Sequence, residues 1–191
     1  MPTAVADEAA RELVLGAADR LYNARGIQSV GMDTLQAESG VSLKRLYKLF
    51  PSKENIVEQV LRRRHDRWVE GLAEAASSAD SPRDRLLAIF DFLGRWFDES
   101  DFRGCAFINS FGEMGGTTES LAAIVRSHKA DFQAYVAALV EAAGAPASLA
   151  PQLALLAEGA QTTAAISGDT NAAADARRAA ETLIAVAMSH A

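Results

Sequence analysis

Three cations on one short predicted helix, Lys44, Arg45 and Lys48, are the residues of this chain best suited to chemistry. Arginine pairs with two acceptors of guanine at once, and lysine binds phosphate, so this combination suits contact with nucleic acid. Taken alone, three cations are also what the solvated face of an ordinary helix carries. The elements around them therefore decide between the two interpretations.

Those elements lie between positions 32 and 54, which read MDTLQAESGVSLKRLYKLFPSKE. Two short helical patterns flank a break at 39–42, where Gly40 suits the left-handed conformation that ends a helix. Ser42 is placed to cap the second helix, and Pro51 follows its end. Two short helices joined by a tight glycine turn are the helix-turn-helix motif, whose second helix enters the major groove of DNA. The spacing therefore favours DNA contact by the three cations.

The same residues resemble the DNA-binding domain of the tetracycline-repressor (TetR) family of transcriptional regulators. The resemblance covers about a quarter of the chain. Where this chain has Lys44 and Arg45 the family commonly has Gly-Thr, so no DNA sequence preference is carried over. The segment 103–109 is similar to one in many effector domains of the family, which extends the resemblance along the chain. The matching residues are Val14 to Ala18, Leu21-Tyr22, Gly26, Ala37, Gly40-Val41-Ser42, Leu46-Tyr47, Phe50 and Ser52-Lys53-Glu54.

The cations have two expected roles within this motif. Lys44 and Arg45 are expected to read base edges, whereas the flanking polar residues hold backbone phosphates. Lys53 lies in the first turn of the next predicted helix, whose free backbone N–H groups also attract anions. The predicted DNA-contacting residues are Ser42, Leu43, Lys44, Arg45, Tyr47, Lys48 and Lys53.

The distribution of charge agrees with this interpretation, although the net charge of −6 does not suggest a nucleic-acid partner. Residues 1–64 contain ten Lys and Arg against eight Asp and Glu, whereas residues 65–191 contain nine against seventeen. Binding to phosphate requires a local basic face and not a basic protein. The acidic remainder would repel DNA and help to orient the basic face.

Helical periodicity runs through the whole chain of 191 residues, of which 49% are hydrophobic. Apolar residues recur at spacings of three and four, which predicts an all-α protein of about nine helices. We expect a three-helix DNA-binding domain at 1–52, with the motif at about 32–50, and a larger helical effector-binding and dimerisation domain at 53–191. No apolar run approaches the ~20 residues that cross a bilayer, and the acidic N-terminus is no secretory signal. With a single cysteine, these features predict a cytoplasmic protein that does not enter membranes.

Signals for catalysis, metals and cofactors are missing from the sequence. His65, His128 and His190 are widely spaced and have no cysteine partners, so no metal site is expected. No catalytic triad spacing or glycine-rich phosphate loop occurs, and neither an enzyme nor a cofactor is predicted. Cys105 is more readily explained as a small buried side chain than as a reactive thiol.

Aromatic residues concentrate in one stretch, because seven of the eight phenylalanines fall between Phe90 and Phe132. Two interpretations stay open: a core built from bulky side chains, or an apolar ligand cavity with a few polar residues. His128 has the same ambiguity, as a core histidine or as a polar anchor for a ligand. The predicted pocket residues are Phe90, Trp96, Phe107, Asn109, Phe111, Glu113, His128, Phe132 and Tyr135.

The last two predicted helices carry stripes of apolar and small residues. Paired with a symmetry mate, they would form the four-helix bundle that is the usual interface of the family. Alternatively, the stripes simply cap the core of one chain. The predicted interface residues are Leu149, Leu153, Leu156, Ala160, Ala180, Leu183 and Ala187.

The resemblance implies a homodimeric transcriptional repressor that a small molecule releases from its DNA operator. The expected partners are thus double-stranded DNA, an apolar effector and a second copy of the chain. The long helix that begins at Lys53 is the expected lever between ligand and DNA. Two alternatives remain: a helical carrier or enzyme that uses the aromatic pocket, and a DNA-binding protein without a ligand.

Overall fold

The described residues of the protein, in a computed structural model, are 2–189, with side chains from Val5 to Ser189. Within them, regular structure consists of nine α-helices, which confirms the all-α prediction. Among the described residues, no helix is both long and apolar enough to cross a membrane. The helices are α1 (Pro2–Arg25), α2 (Met32–Ser39), α3 (Leu43–Leu49), α4 (Lys53–Ser77), α5 (Pro82–Phe97), α6 (Ala106–Met114), α7 (Glu119–Ala142), α8 (Leu149–Ser167) and α9 (Ala172–Ser189).

Local signals explain where these helices begin and end. The backbone of Gly40 is left-handed at φ 69°, and its N–H donates to the Gln36 carbonyl at the end of α2. Ser81 caps α5 because its hydroxyl accepts a hydrogen bond from the Asp84 N–H, and Pro82 occupies the first turn, where its missing N–H costs nothing. The predicted turn at Gly40 is confirmed.

The described helices divide into two compact units that are discontinuous in sequence. The first contains the residues up to His65 together with Ala106–Val125, and the second contains Asp66–Cys105 with the residues from Arg126 onward. The sequence placed a domain boundary after Ser52, whereas packing groups the first part of α4 and all of α6 with α1–α3. The reason is that α4 and α6 carry apolar side chains that complete the first core.

In the first unit, α1, α2 and α3 pack against one another around a small apolar core. Val14 of α1, Leu35 of α2 and Leu46 of α3 are completely buried at its centre. Ser39 stabilises the turn of the motif, since its hydroxyl donates to the Leu35 carbonyl at 2.6 Å and accepts from the Val41 N–H at 3.3 Å. This packing fixes the orientation of α3.

In the second unit, α8 and α9 pack against each other and against α5. Their stripes of small residues form part of this core, where Leu153, Ala180 and Ile184 are all buried. The predicted dimer residues Leu149 and Ala160 are buried there too. The remaining three, Leu156, Leu183 and Ala187, are partly buried against the same core.

Four of the predicted interface residues, Leu149, Leu153, Ala160 and Ala180, are therefore taken up by the core of the chain itself, whereas Leu156, Leu183 and Ala187 stay predictions. Helical periodicity identified the apolar stripe that faces the core of the chain itself, because α8 is apolar on more than one side. The face of α8 that stays open carries Leu155, 73% exposed, and Ile166, 83% exposed, and α9 adds the exposed Val186.

Candidate nucleic-acid interface

The outer face of α3 presents the predicted DNA-contacting residues. Leu46 and Leu49 point into the core of the first unit, which leaves Lys44 exposed together with Tyr47 and Lys48. Tyr47 is 53% exposed, unusual for a large aromatic side chain, and the Lys48 side chain is 70% exposed. One short helix thus combines two exposed cations with an accessible phenol, and these groups can donate hydrogen bonds to phosphates and base edges.

Ser42 and Leu43 begin this helix. Ser42 occupies the N-cap position, as predicted, but its side chain makes no capping hydrogen bond. The hydroxyl is exposed and stays available as a donor, whereas Leu43 is half-buried. Ser42 therefore stands at the predicted N-cap position, but its side chain does not cap the helix.

Arg45 and Lys48 are held by a residue that sequence analysis missed. The Asp7 carboxylate of α1 accepts from Arg45 Nη2 at 3.0 Å through Oδ1 and pairs with Lys48 Nζ at 3.4 Å through Oδ2. The Arg45 hydrogen bond is the largest cause that lowers the pKa of Asp7 below its usual value. Asp7 is 38 residues from Arg45 and 41 residues from Lys48, and no local sequence pattern connects residues so far apart. The contact becomes visible only when α1 packs on α3.

Lys53 begins α4, as predicted, but it is less accessible than Lys44 and Lys48 of α3. Partial burial lowers its pKa, although the nearby carboxylates of Glu54 and Glu113 oppose that shift. The hydroxyl of Ser52 accepts from the Asn55 N–H at 3.2 Å, which caps the helix. Lys53 therefore lies half-buried at the start of a capped helix.

Glu113 of α6 binds the turn that joins α1 to α2. Its carboxylate oxygens accept from the backbone N–H groups of Ile27 at 3.0 Å and Gln28 at 2.9 Å, and its carbonyl accepts from Gln28 Nε2 at 2.6 Å. Gly26 precedes this turn at φ 79°, and a Cβ there would lie 3.1 Å from both carboxylate oxygens. Glu113, predicted to line a ligand pocket, thus holds the first unit together, and it also lines a small cavity of that unit.

Asn109, another predicted pocket residue, lines a cavity of about 30 Å³ inside the first unit. The cavity lies between α1, α4 and α6, with Val57 and Leu61 on its apolar side. The Tyr22 hydroxyl is buried there without a hydrogen-bond partner, and burial raises the pKa of this phenol. Since one water needs about 10–15 Å³, this volume is too small for an organic effector.

The remaining predicted pocket residues divide between the two units. Phe107, which is buried, and Phe111, which is 45% exposed, lie on α6 in the first unit. Phe90 is a fully buried core residue of the second unit. Trp96, His128, Phe132 and Tyr135 also belong to that unit.

Trp68 of α4 is the centre of this aromatic group and was missed in the sequence. Its ring makes edge contacts with Phe92, Trp96, His128 and Phe132 at centroid distances of 5.1, 5.5, 6.0 and 5.8 Å. The indole N–H is buried and has no hydrogen-bond partner among the described residues. Trp68 lies four residues before the buried Leu72 on α4, so helical periodicity places both side chains on the same face.

Cys105 is buried, in agreement with its interpretation as a small core side chain. The structure adds a neighbour that sequence analysis did not foresee, since Lys129 Nζ lies 3.8 Å from its sulfur. The same ammonium pairs with Glu158 at 3.2 Å. Lys129 therefore joins α7 to α8 within the second unit.

Comparison with protein-family models gives two matches along this fold. The model for bacterial regulatory proteins of the tetR family matches residues 14–60, which contain the helix-turn-helix. The model for the tetracyclin repressor-like C-terminal domain matches residues 82–180, more than half of the chain. The chain belongs to the TetR family. It is a transcriptional regulator with a DNA-binding domain, as the resemblance implied.

Two relatives share part of the sequence of this TetR-family chain. The HTH-type transcriptional activator FasR of Mycolicibacterium smegmatis is 35% identical over 91 residues, 46% of this chain and 41% of that protein. An uncharacterized HTH-type transcriptional regulator of Mycobacterium tuberculosis is 27% identical over 121 residues, 61% of this chain and 60% of that protein. The chain thus spans about two fifths and three fifths of the curated relatives it matches.

Solved structures match the fold over nearly the whole chain. A TetR-family transcriptional regulator from Streptomyces coelicolor has a TM-score of 0.87 at 24% identity, covering 94% of this chain and 96% of that one. A tetR-type regulator from Streptomyces avermitilis has a TM-score of 0.80 at 30% identity, covering 93% and 97%. The first likeness supports the fold alone.

Glu113→Gln should destabilise the protein by about 1–3 kcal/mol. The amide of glutamine has only one acceptor oxygen, so one of the two backbone N–H groups, of Ile27 or Gln28, would face an NH₂ group instead of an acceptor. Chemical denaturation followed by circular dichroism measures the change. Glu74→Gln is the matched control, since Glu74 is exposed on α4 and undergoes the same change of charge. Equal unfolding free energies for the two variants would contradict the role assigned to Glu113.

Proposed function

We infer that this TetR-family regulator acts as a homodimer, binds operator DNA through α3 of each copy and responds to a small apolar molecule. The observation that carries this proposal is the position of α6. This helix lies within the residues matched by the C-terminal domain model, yet Glu113 bonds it to the turn before the helix-turn-helix. A change in the effector domain that moves α6 therefore has a direct physical route to the DNA-binding helices.

Contact with DNA is assigned to the exposed residues of α3. Lys44 and Arg45 are proposed to read bases, because they stand near the start of the helix that enters the groove. Tyr47, Lys48 and Lys53 are proposed to hold phosphates, with Ser42 and Leu43 contributing contacts at the helix start. The support is their placement on one accessible face, opposite the buried Leu46.

Dimerisation is assigned to the open faces of α8 and α9. Leu155 and Ile166 are largely exposed, and Gly159 between them lets a second helix approach closely. Large apolar side chains exposed along one helix are consistent with a protein–protein interface. A two-fold dimer also explains how one short helix in each chain achieves specificity, since two half-sites about 34–36 Å apart, or a multiple of this, are read together.

The effector is proposed to bind at the aromatic group around Trp68. This group supplies large apolar surfaces, and the unpartnered indole N–H of Trp68 would bind a hydrogen-bond acceptor. His128 and Tyr135 border the group, although the Tyr135 hydroxyl already donates to the Leu72 carbonyl at 3.3 Å. The ligand class is therefore an apolar molecule with a carbonyl or carboxylate.

Repression is the proposed direction of control, with the effector weakening DNA binding. A specific observation favours activation as a second candidate, since the relative FasR is named a transcriptional activator. A reporter gene placed behind the operator distinguishes them. Its expression rises on deletion of a repressor and falls on deletion of an activator.

Replacing Arg45 with Ala should reduce the discrimination between base pairs at the positions that Arg45 contacts, by about 1–3 kcal/mol for each contacted base pair. Lys53→Ala should instead weaken binding to all sequences alike and flatten the salt dependence by about one unit of slope. Operators selected from random duplexes, followed by titration at several salt concentrations, measure both effects. If Arg45→Ala keeps the wild-type sequence preference, the assignment of Arg45 to base contact is wrong.

Leu155→Arg should convert the dimer into a monomer, because it places a charge in the proposed apolar interface. Sedimentation velocity at micromolar concentration measures the state, and operator affinity should fall with it. Leu13→Arg is the control, since Leu13 is an exposed leucine of α1, outside the proposed interface. A wild-type protein that sediments as a monomer would refute the dimer, and a dimeric Leu155→Arg protein would refute this surface.

Trp68→Phe should weaken the binding of an acceptor-bearing effector about tenfold, because it removes the indole N–H while keeping an aromatic ring. Calorimetry with molecules selected from a library of apolar carbonyl and carboxylate compounds measures the loss. Phe92→Leu is the control, because it changes the packing around Trp68 without removing a donor. If a molecule that binds this group leaves operator affinity unchanged, the proposed switch is refuted.

A further inference from the structure

Asp7 holds the two cations that we assign to DNA at the same time, one with each carboxylate oxygen. It engages Arg45 Nη2 at 3.0 Å and Lys48 Nζ at 3.4 Å, and its own side chain is 31% exposed. The carboxylate therefore stands on the accessible side of the first unit where the cations of α3 are presented. A phosphate of DNA and the carboxylate of Asp7 offer these donors the same chemistry, a negatively charged oxygen.

This geometry makes Asp7 a competitor of DNA for Arg45 and Lys48. Sequence-independent binding rests on attraction between cations and phosphates, and each cation engaged by a phosphate releases counterions. While Asp7 holds both cations, one unit of positive charge on this face is cancelled, and approaching phosphates meet an anion. Binding to any duplex is weakened by this competition.

Operator DNA differs because it also offers base edges. A guanine at the correct position would bind the guanidinium of Arg45 through two hydrogen bonds, a gain of about 1–3 kcal/mol that other sequences lack. An exposed ion pair is worth at most about 1 kcal/mol. On the operator, the hydrogen bonds to guanine therefore offset the free energy lost when Arg45 leaves Asp7. Other DNA offers no such hydrogen bonds, so the loss is not offset there.

We propose that Asp7 is a specificity-determining residue, which suppresses binding to DNA that lacks the operator's bases by holding Arg45 and Lys48. The inference rests on the proposed contact of these two cations with DNA. It adds that discrimination depends on a residue of α1 that does not itself read a base. Lys44, which is exposed on the same helix, is outside this contact and serves as an internal reference.

The test compares Asp7→Asn with Glu8→Gln in the full-length protein, using one selected operator and one random-sequence duplex of ~30 base pairs. Glu8 is exposed on the same helix, and its substitution changes the charge equally. Asp7→Asn should raise the affinity for the random duplex about three- to tenfold and steepen its salt slope by about one unit. Operator affinity should rise less, so that the ratio of the two affinities falls at least about threefold, and Glu8→Gln should leave that ratio unchanged.

Three outcomes overturn the inference. If Asp7→Asn behaves like Glu8→Gln on both duplexes, no competition exists. If Asp7→Asn loses operator affinity while the random duplex is unaffected, Asp7 orients Arg45 for base reading instead of competing with DNA. If the wild-type protein shows no salt-dependent binding to either duplex, the DNA role of α3 fails and the inference fails with it. Circular dichroism checks that both variants are folded, which is expected because Asp7 lies outside the apolar core of the first unit.

Discussion

The carboxylate of Glu113 satisfies two backbone N–H groups at the turn where α1 ends and the helix-turn-helix begins. Such groups lose their helical partners at a turn, and leaving them unpaired costs free energy when water is excluded. The side chain that meets this need comes from 85 to 86 positions along the chain. The position of α2 and α3 therefore depends on α6 being in place, and the close approach requires Gly26, whose backbone no larger side chain adopts easily.

Ion pairs with α1 organise the charge around this framework. Asp7 pairs with α3, whereas Glu12 and Asp19 pair with Arg63 and Arg64 of α4. Several of the lysine and arginine side chains in the first third of the sequence are thus paired with carboxylates of the same unit. The cations of α3 are presented on an accessible face of this unit, so DNA binding is governed by their position more than by total charge.

Local signals in the sequence were sufficient to predict most of the fold. Gly40 and Pro82 mark helix ends through backbone conformation, which depends on neighbouring residues alone. The contacts of Glu113 and Asp7 could not be predicted, because they join positions with no shared periodicity. The sequence places Glu113 in a ligand pocket only because it is a polar residue close to several aromatic ones. The DNA-contacting residues and the pocket otherwise stay predictions.

The misassigned stripe of α8 has a physical origin that bears on assembly. An amphipathic helix with one apolar face reveals its core side by periodicity, but α8 has apolar residues on both the core side and the open side. Leu153 faces the core, and Leu155, two positions later and about 200° around the helix, faces outward. A helix that needs one face for its own core has no structural reason to place leucine and isoleucine on the other. We propose that a second copy of the chain covers these side chains, and a two-fold contact there would fix the separation of the two α3 helices that DNA must match.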